Sequence, residues 1–128
     1  MDKAPVLTPS EWQVMELLWQ RPHTLMELVA QLSESMHWSK STVATMVRRM
    51  CEKELIGFSE EDRARIYSPN VTRDEVSARE TESLLQRAYH GSLGLLVSAM
   101  AQRHDLTKDD IDELYAILKE AEEGVKND

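Results

Sequence analysis

The sequence contains a single cysteine and no long apolar run, and both features limit the classes of protein to which it can belong. Its single cysteine, Cys51, cannot form an internal disulfide or supply a zinc site of several thiolates, so the chain suits a reducing compartment. No segment reaches the roughly 18 to 20 apolar residues of a membrane span. Residues 1–5 lack the basic and apolar segments of a signal peptide. These features predict a cytoplasmic protein without a membrane partner.

Patterns of catalysis and of metal binding are missing as well. His23, His37, His90 and His104 are scattered without ligand-type spacing, so we predict neither a metal site nor a cofactor. No nucleophile with a base, phosphate-binding loop or carboxylate pair stands out, and the sequence does not indicate an enzyme. Cys51 adjoins an apolar stripe, which favours a packing role over a redox role.

The net charge of −8 is unevenly distributed. Residues 1–70 hold 8 basic and 10 acidic side chains, whereas residues 71–128 hold 7 and 13. Residues 40–53 carry four cations and one acid. A phosphate senses charge within a Debye length of roughly 8 Å, so the local excess of cations matters more than the total. The overall acidity therefore does not exclude nucleic acid.

Helix-start signals divide the first fifty residues into three helices. Thr8 and Thr24 are each followed three residues later by glutamate, which is a capping box, and Ser39 is a third N-cap. Residues 20–23 include a proline that ends the first helix. The second helix is expected to extend through Val29 and Leu32, with residues 33–38 as a turn.

The period then changes to that of short strands. Residues 56–59 and 65–69 are β-prone, and the polar residues 60–64 between them indicate a hairpin, with Arg63 and Arg65 at its tip. Three helices followed by a hairpin is the order of a winged helix-turn-helix. The predicted fold is mainly α with a small β-hairpin: a winged helix in residues 1–71, then a helical region in residues 72–128.

The third helix has two different faces. Val43, Met46, Val47 and Met50 follow helical spacing and predict a buried stripe. The opposite side offers hydroxyls and cations that can donate to phosphate oxygens and base edges. A basic helix face is most often only solvated, and Arg49 could instead form an ion pair within the domain. The candidate DNA contacts, with those of the wing, are Lys40, Ser41, Thr42, Thr45, Arg48, Arg49, Arg63 and Arg65.

The C-terminal half reads as three amphipathic helices, the first opened by a capping box at residues 72–75. Helices within about 55 residues bury too little surface to enclose a core alone, so a partner chain is expected. The apolar positions that would meet it are Leu84, Leu85, Tyr89, Leu93, Leu96, Met100, Ile111, Leu114 and Leu118.

Taken with these features, several short segments resemble the penicillinase-repressor family of bacterial transcription factors, the BlaI/MecI/CopY group. The likeness covers nearly the whole chain and is most specific in its opening and in the third helix. The matching residues are Leu7–Met15, Leu18-Trp19, Ser41-Thr42-Val43, Thr45, Arg49, Lys53–Ile56 and Tyr67–Pro69.

The resemblance implies a homodimeric repressor. Its winged helix would bind a half-site of an inverted-repeat DNA operator, and its C-terminal helices would form the dimer interface. Copper-responsive members carry a C-terminal cysteine cluster, which is absent here, so a copper switch of that kind is not expected. In antibiotic-responsive members a membrane-bound sensor protease cuts the second C-terminal helix, and the equivalent pair here is Ala99-Met100.

Two other functions remain open from the sequence. A winged helix could serve as a protein-interaction module without DNA binding, which the acidic total charge would suit. A DNA-binding sensor could also hold an effector between its C-terminal helices. The release signal is thus left open between proteolysis and a ligand.

Overall fold

The computed structural model describes residues 5–126, in which six helices and three short strands follow one another. The described chain divides into two compact units, one extending to Ser83 and one beginning at Leu84. The elements are α1 (Pro9–Gln20), β1 (His23–Thr24), α2 (Leu25–Met36), α3 (Lys40–Glu52), β2 (Ile56–Glu61), β3 (Ala64–Pro69), α4 (Arg73–Tyr89), α5 (Leu93–Gln102) and α6 (Lys108–Lys126).

The predicted helix starts are confirmed by reciprocal hydrogen bonds. Glu11 donates its amide to Thr8 Oγ1 at 3.1 Å, and Glu11 Oε1 accepts from the Thr8 amide at 2.8 Å. Thr24 and Glu27 repeat the arrangement at the start of α2, and Ser39 Oγ accepts from an amide in the first turn of α3. Each bond satisfies an amide that a helix end leaves without an intrahelical partner.

The end of α2 differs from the prediction. Residues 33–36 continue the helix rather than forming a turn, because they contain no proline or glycine and their side chains face solvent. The helix ends when His37 adopts the left-handed conformation, with φ of 59°. The Trp38 amide then donates to the Leu32 carbonyl at 3.4 Å and closes the last turn.

The predicted hairpin is confirmed, and it belongs to a three-stranded antiparallel sheet in the order β1-β3-β2. Glu61 pairs with Ala64, which leaves Asp62 and Arg63 as a two-residue loop. Both loop residues have positive φ, 50° and 68°, as a type I′ turn requires. The two-residue strand β1, which pairs His23 with Tyr67, was not predicted.

The core of the first unit joins the helices to the sheet. Buried apolar side chains come from α1, α2, α3, β2 and β3 and, through Val76, from α4. The Trp19 indole donates to the Val71 carbonyl at 2.9 Å, and the ring packs edge to face against Trp12 with centroids 5.7 Å apart. This unit continues to Ser83, and Val76 of α4 belongs to its core. The functional boundary between residues 71 and 72 stays a prediction.

The second unit keeps much of its apolar surface exposed. Within its described residues no apolar side chain is fully buried, and α5 and α6 each present exposed leucines. A helix long and apolar enough to cross a membrane is not found among residues 5–126.

Candidate nucleic-acid interface

The orientation of α3 follows from its buried stripe. Val43 and Met50 are fully buried, Val47 is 2% exposed, and Met46 packs half-buried against the same core. This confirms the predicted stripe. Because these four side chains hold one face against the domain, the opposite face must point outward.

The outward face carries the predicted hydroxyls in an ordered arrangement. Thr42 Oγ1 accepts from Ser39 Oγ at 3.0 Å, so the hydroxyl hydrogen of Thr42 stays available to an external acceptor. Ser41 Oγ lies 3.1 Å from the same serine, and Thr45 is half-buried one turn further on. Ser41, Thr42, Thr45, Met46 and Arg49 line a shallow depression of about 230 Å³.

The two arginines of this face are exposed. Neither Arg48 nor Arg49 forms an ion pair with any residue in the part of the chain that the structure describes. The alternative of an internal partner for Arg49 therefore finds no support there. Lys40 is the first residue of α3. At 3.6 residues per turn it lies about 140° around the helix from Thr45, to one side of the outward face. It sits beside the helix N-terminus, where backbone amides favour an anion.

The loop of the wing is shorter than the predicted residues 60–64, because β2 extends to Glu61 and β3 begins at Ala64. Arg63 is in the turn, and Arg65 is on β3, within its predicted β-prone segment, paired with Glu60 across the hairpin. The Arg65 Nε lies 3.8 Å from Glu60 Oε1, and the guanidinium stacks 4.2 Å from the centroid of Phe58. Residues 60–65 carry three acids and two arginines. The wing is therefore a weaker attractor of phosphate than α3.

One ion pair next to α3 was not predicted from the sequence. Lys53, the C-cap of α3, places its Nζ 2.6 Å from Glu11 Oε2, and Glu11 is only 3% exposed. Burial raises the pKa of Glu11, but the bonds from Lys53 and from the Thr8 amide outweigh burial and lower the pKa below its ordinary value of 4.5. The capping box and the family resemblance singled out Glu11, and Lys53 was counted among the cations, but no signal in the sequence indicated that the two residues pair.

The nine apolar residues predicted to form a dimer interface are all incompletely buried within one chain. Leu93 and Leu118 are 57% and 58% exposed, and Leu96 and Leu114 are half-buried. Four of the nine, Leu93, Leu96, Met100 and Leu114, line an open groove of about 430 Å³ between α5 and α6, which Asp110 and Glu113 also line. Contact with another apolar surface would remove these exposed side chains from water and stabilise them.

The Ala99-Met100 bond lies inside α5. Ala99 is half-buried and Met100 is 38% exposed, and both belong to a continuous helix ending at Gln102. A protease that binds an extended backbone would have to unwind this turn first.

Comparison with known proteins identifies the family. The model of the penicillinase repressor family matches residues 7–120. This chain belongs to the penicillinase repressor family. It is 31% identical over 121 residues to the penicillinase repressor of Bacillus licheniformis, covering 94% of each chain. It is 23% identical over 118 residues to the methicillin resistance regulatory protein MecI of Staphylococcus aureus, covering 91% of this chain and 96% of that one.

A solved relative resembles part of this family member. The solution structure of the Bacillus licheniformis BlaI monomeric form in complex with the blaP half-operator is 29% identical, with a TM-score of 0.52. The match covers 59% of this chain and 93% of that one. The predicted winged-helix fold and family resemblance are thereby confirmed. Membership in a repressor family also agrees with the prediction that the chain is not an enzyme.

Proposed function

We propose that this chain is a dimeric, sequence-specific DNA-binding repressor. Its α3 would read an operator half-site in the major groove, Arg63 and Arg65 of the wing would contact the adjacent backbone or minor groove, and two copies would bind an inverted repeat. The main support is the outward face of α3, which lies opposite a buried stripe. It carries hydroxyls and exposed arginines that form no ion pair with the described residues. The relative solved on a half-operator supports the same assignment.

Dimerisation is supported by the second unit. Its helices expose apolar side chains that a second copy could cover, as C2 symmetry places the same surface on both subunits. An inducing signal of unspecified chemistry would release the repressor from the DNA. Cutting by a sensor protease at Ala99-Met100 stays a prediction from the family resemblance, and it would require local unwinding of α5.

A titration against DNA tests this function. The chain is titrated with a duplex from the promoter of its own operon and with a scrambled duplex of equal composition, at several salt concentrations. We expect the operator to bind about 1,000-fold more tightly or better than the scrambled duplex. Binding should weaken steeply as salt rises, because phosphate contacts release counterions. Equal and salt-insensitive affinities, together with co-purification of a stoichiometric protein partner, would instead favour a protein-interaction module.

Replacing Thr45 with valine tests the reading face. The substitution keeps the shape and removes one hydroxyl from the middle of the outward face. We expect the preference for operator over scrambled duplex to fall about tenfold, the range of a single hydrogen bond to a base. Affinity for the scrambled duplex should stay unchanged, because the substitution removes no charge. Both affinities are measured by fluorescence anisotropy.

Thr81→Val is the matched control. Thr81 lies on α4, where its hydroxyl donates to the Ser77 carbonyl at 3.0 Å. This variant should keep the full preference for the operator. An identical preference in both valine variants would mean that Thr45 does not face the bases.

A further inference from the structure

The Glu11 carboxylate joins two helix ends with its two oxygens. Oε1 accepts from the Thr8 amide at 2.8 Å and so fixes the start of α1. Oε2 accepts from Lys53 Nζ at 2.6 Å and so contacts the end of α3. Since both oxygens are used and the side chain is only 4% exposed, the carboxylate has little freedom to move. A charge-assisted bond of this length is directional and strong.

Lys53 belongs to the same helical turn as the candidate DNA-binding arginines. Its amide donates to the Arg49 carbonyl at 3.0 Å and closes the last turn of α3. A displacement of Lys53 would therefore displace Arg49 and Arg48 as well. The lysine side chain itself is 56% exposed, and its ammonium turns back toward α1 rather than out to solvent.

The apolar contacts of α3 do not determine its position as tightly. The buried stripe combines valines with Met46 and Met50, and methionine side chains adapt to small shifts of a helix. Hydrophobic contact is also non-directional. A hydrogen bond to a base edge, in contrast, weakens steeply when its angle or length changes. Reading DNA thus needs a directional constraint that the stripe does not supply.

We propose that Glu11 and Lys53 are positioning residues, which hold the end of α3 at the angle that operator recognition requires. The inference rests on the proposed function. Neither residue is required to touch DNA. Breaking the pair should therefore reduce discrimination between operator and scrambled duplex more than it reduces binding itself.

The test uses two single variants of opposite charge in the full chain. Glu11→Gln removes a negative charge and keeps an acceptor for Thr8, whereas Lys53→Met removes a positive charge and keeps the apolar stem. Affinity for the scrambled duplex should rise slightly in the first and fall slightly in the second. We expect the operator-to-scrambled affinity ratio to fall about tenfold in both, the range of one misaligned base contact. Because the two substitutions change the net charge in opposite directions, a charge effect alone would not lower this ratio in both variants.

A double variant separates positioning from stability. Lys53→Met alone leaves a buried carboxylate unpaired and should lower the thermal midpoint, and adding Glu11→Gln should restore part of it. If the pair positions α3, the double variant stays poor at discrimination although its stability recovers. Lys53→Arg, which can still reach the carboxylate, should restore the ratio. All titrations are done at pH 7, where the lowered pKa keeps Glu11 ionised, and well below the lowest midpoint.

Arg21→Met is the control. This substitution breaks the exposed ion pair between Arg21 and Glu27, in which the nitrogen and oxygen are 3.4 Å apart. Because neither residue belongs to α3, the operator-to-scrambled affinity ratio should equal that of the wild type. Variants with a lowered thermal midpoint but the wild-type ratio would overturn the inference and leave the proposed function intact. A wild-type chain without operator preference would overturn the proposed function itself.

Discussion

Replacing Leu118 with aspartate is expected to convert the protein from a dimer to a monomer. Apparent affinity for the full inverted repeat should then fall by about 100-fold or more, because the second half-site is no longer bound at a high effective concentration. Affinity for an isolated half-site should change little. Sedimentation velocity at micromolar concentration gives the oligomeric state, and anisotropy titrations with full and half operators give the two affinities.

The physical reason lies in the exposed face of α6. Leu118 is 58% exposed in a single chain, and its neighbours Ile117 and Tyr115 are 52% and 70% exposed. An aspartate at this position costs a monomer little, since it stands in water. In a symmetric dimer the substitution occurs twice and leaves two carboxylates without partners in an apolar contact. Dimerisation should therefore fail while each chain stays folded.

Glu120→Asp is the matched control for Leu118→Asp. It introduces the same residue two positions along α6 without changing the charge, so it reports only the cost of aspartate in a helix. This control should remain dimeric and bind the full operator normally. A Leu118→Asp variant that still sediments as a dimer would show that α6 does not form the interface, and a monomeric wild type would refute the dimer altogether.

The parts of the fold that the sequence predicted depend on short-range signals. Thr8 and Glu11 are three residues apart, so their capping box is visible in the sequence and predicts the start of α1. The stripe of α3 is likewise visible, because Val43, Val47 and Met50 repeat with the helical period. Knowing the buried stripe also gives the outward face, which is why the candidate site could be predicted.

The features that were missed depend on single conformations or on distant contacts. The end of α2 depends on His37 adopting positive φ, and no residue pattern near Leu32 predicts that conformation. The hairpin turn contains Asp62 and Arg63 rather than Asn-Gly, so its two-residue length and the pairing of Arg65 with Glu60 could not be predicted. Glu11 and Lys53 are 42 residues apart, and only the packing of α1 beside α3 brings them together.

The double variant Arg48→Ala/Arg49→Ala should weaken operator binding by about 100-fold, since each arginine that binds DNA contributes roughly 1 to 3 kcal/mol. Both side chains are exposed and form no ion pair with the described residues, so their removal breaks no internal ion pair there. The salt dependence should also become shallower, by roughly one unit of slope for each phosphate that an arginine no longer neutralises. Titrations at several salt concentrations, with thermal unfolding as a check on folding, measure both effects.

A charge-matched pair in the second unit controls for net charge. Arg103→Ala/Lys119→Ala also removes two cations, and it should bind the operator as the wild type does. Equal reductions of affinity in both double variants would mean that total charge, rather than the α3 face, governs binding.

Arg65→Ala should lower operator affinity less than the loss of either arginine of α3, because Glu60 and Phe58 already hold the Arg65 guanidinium. The order of these effects thus tests whether α3 or the wing supplies most of the attraction to DNA.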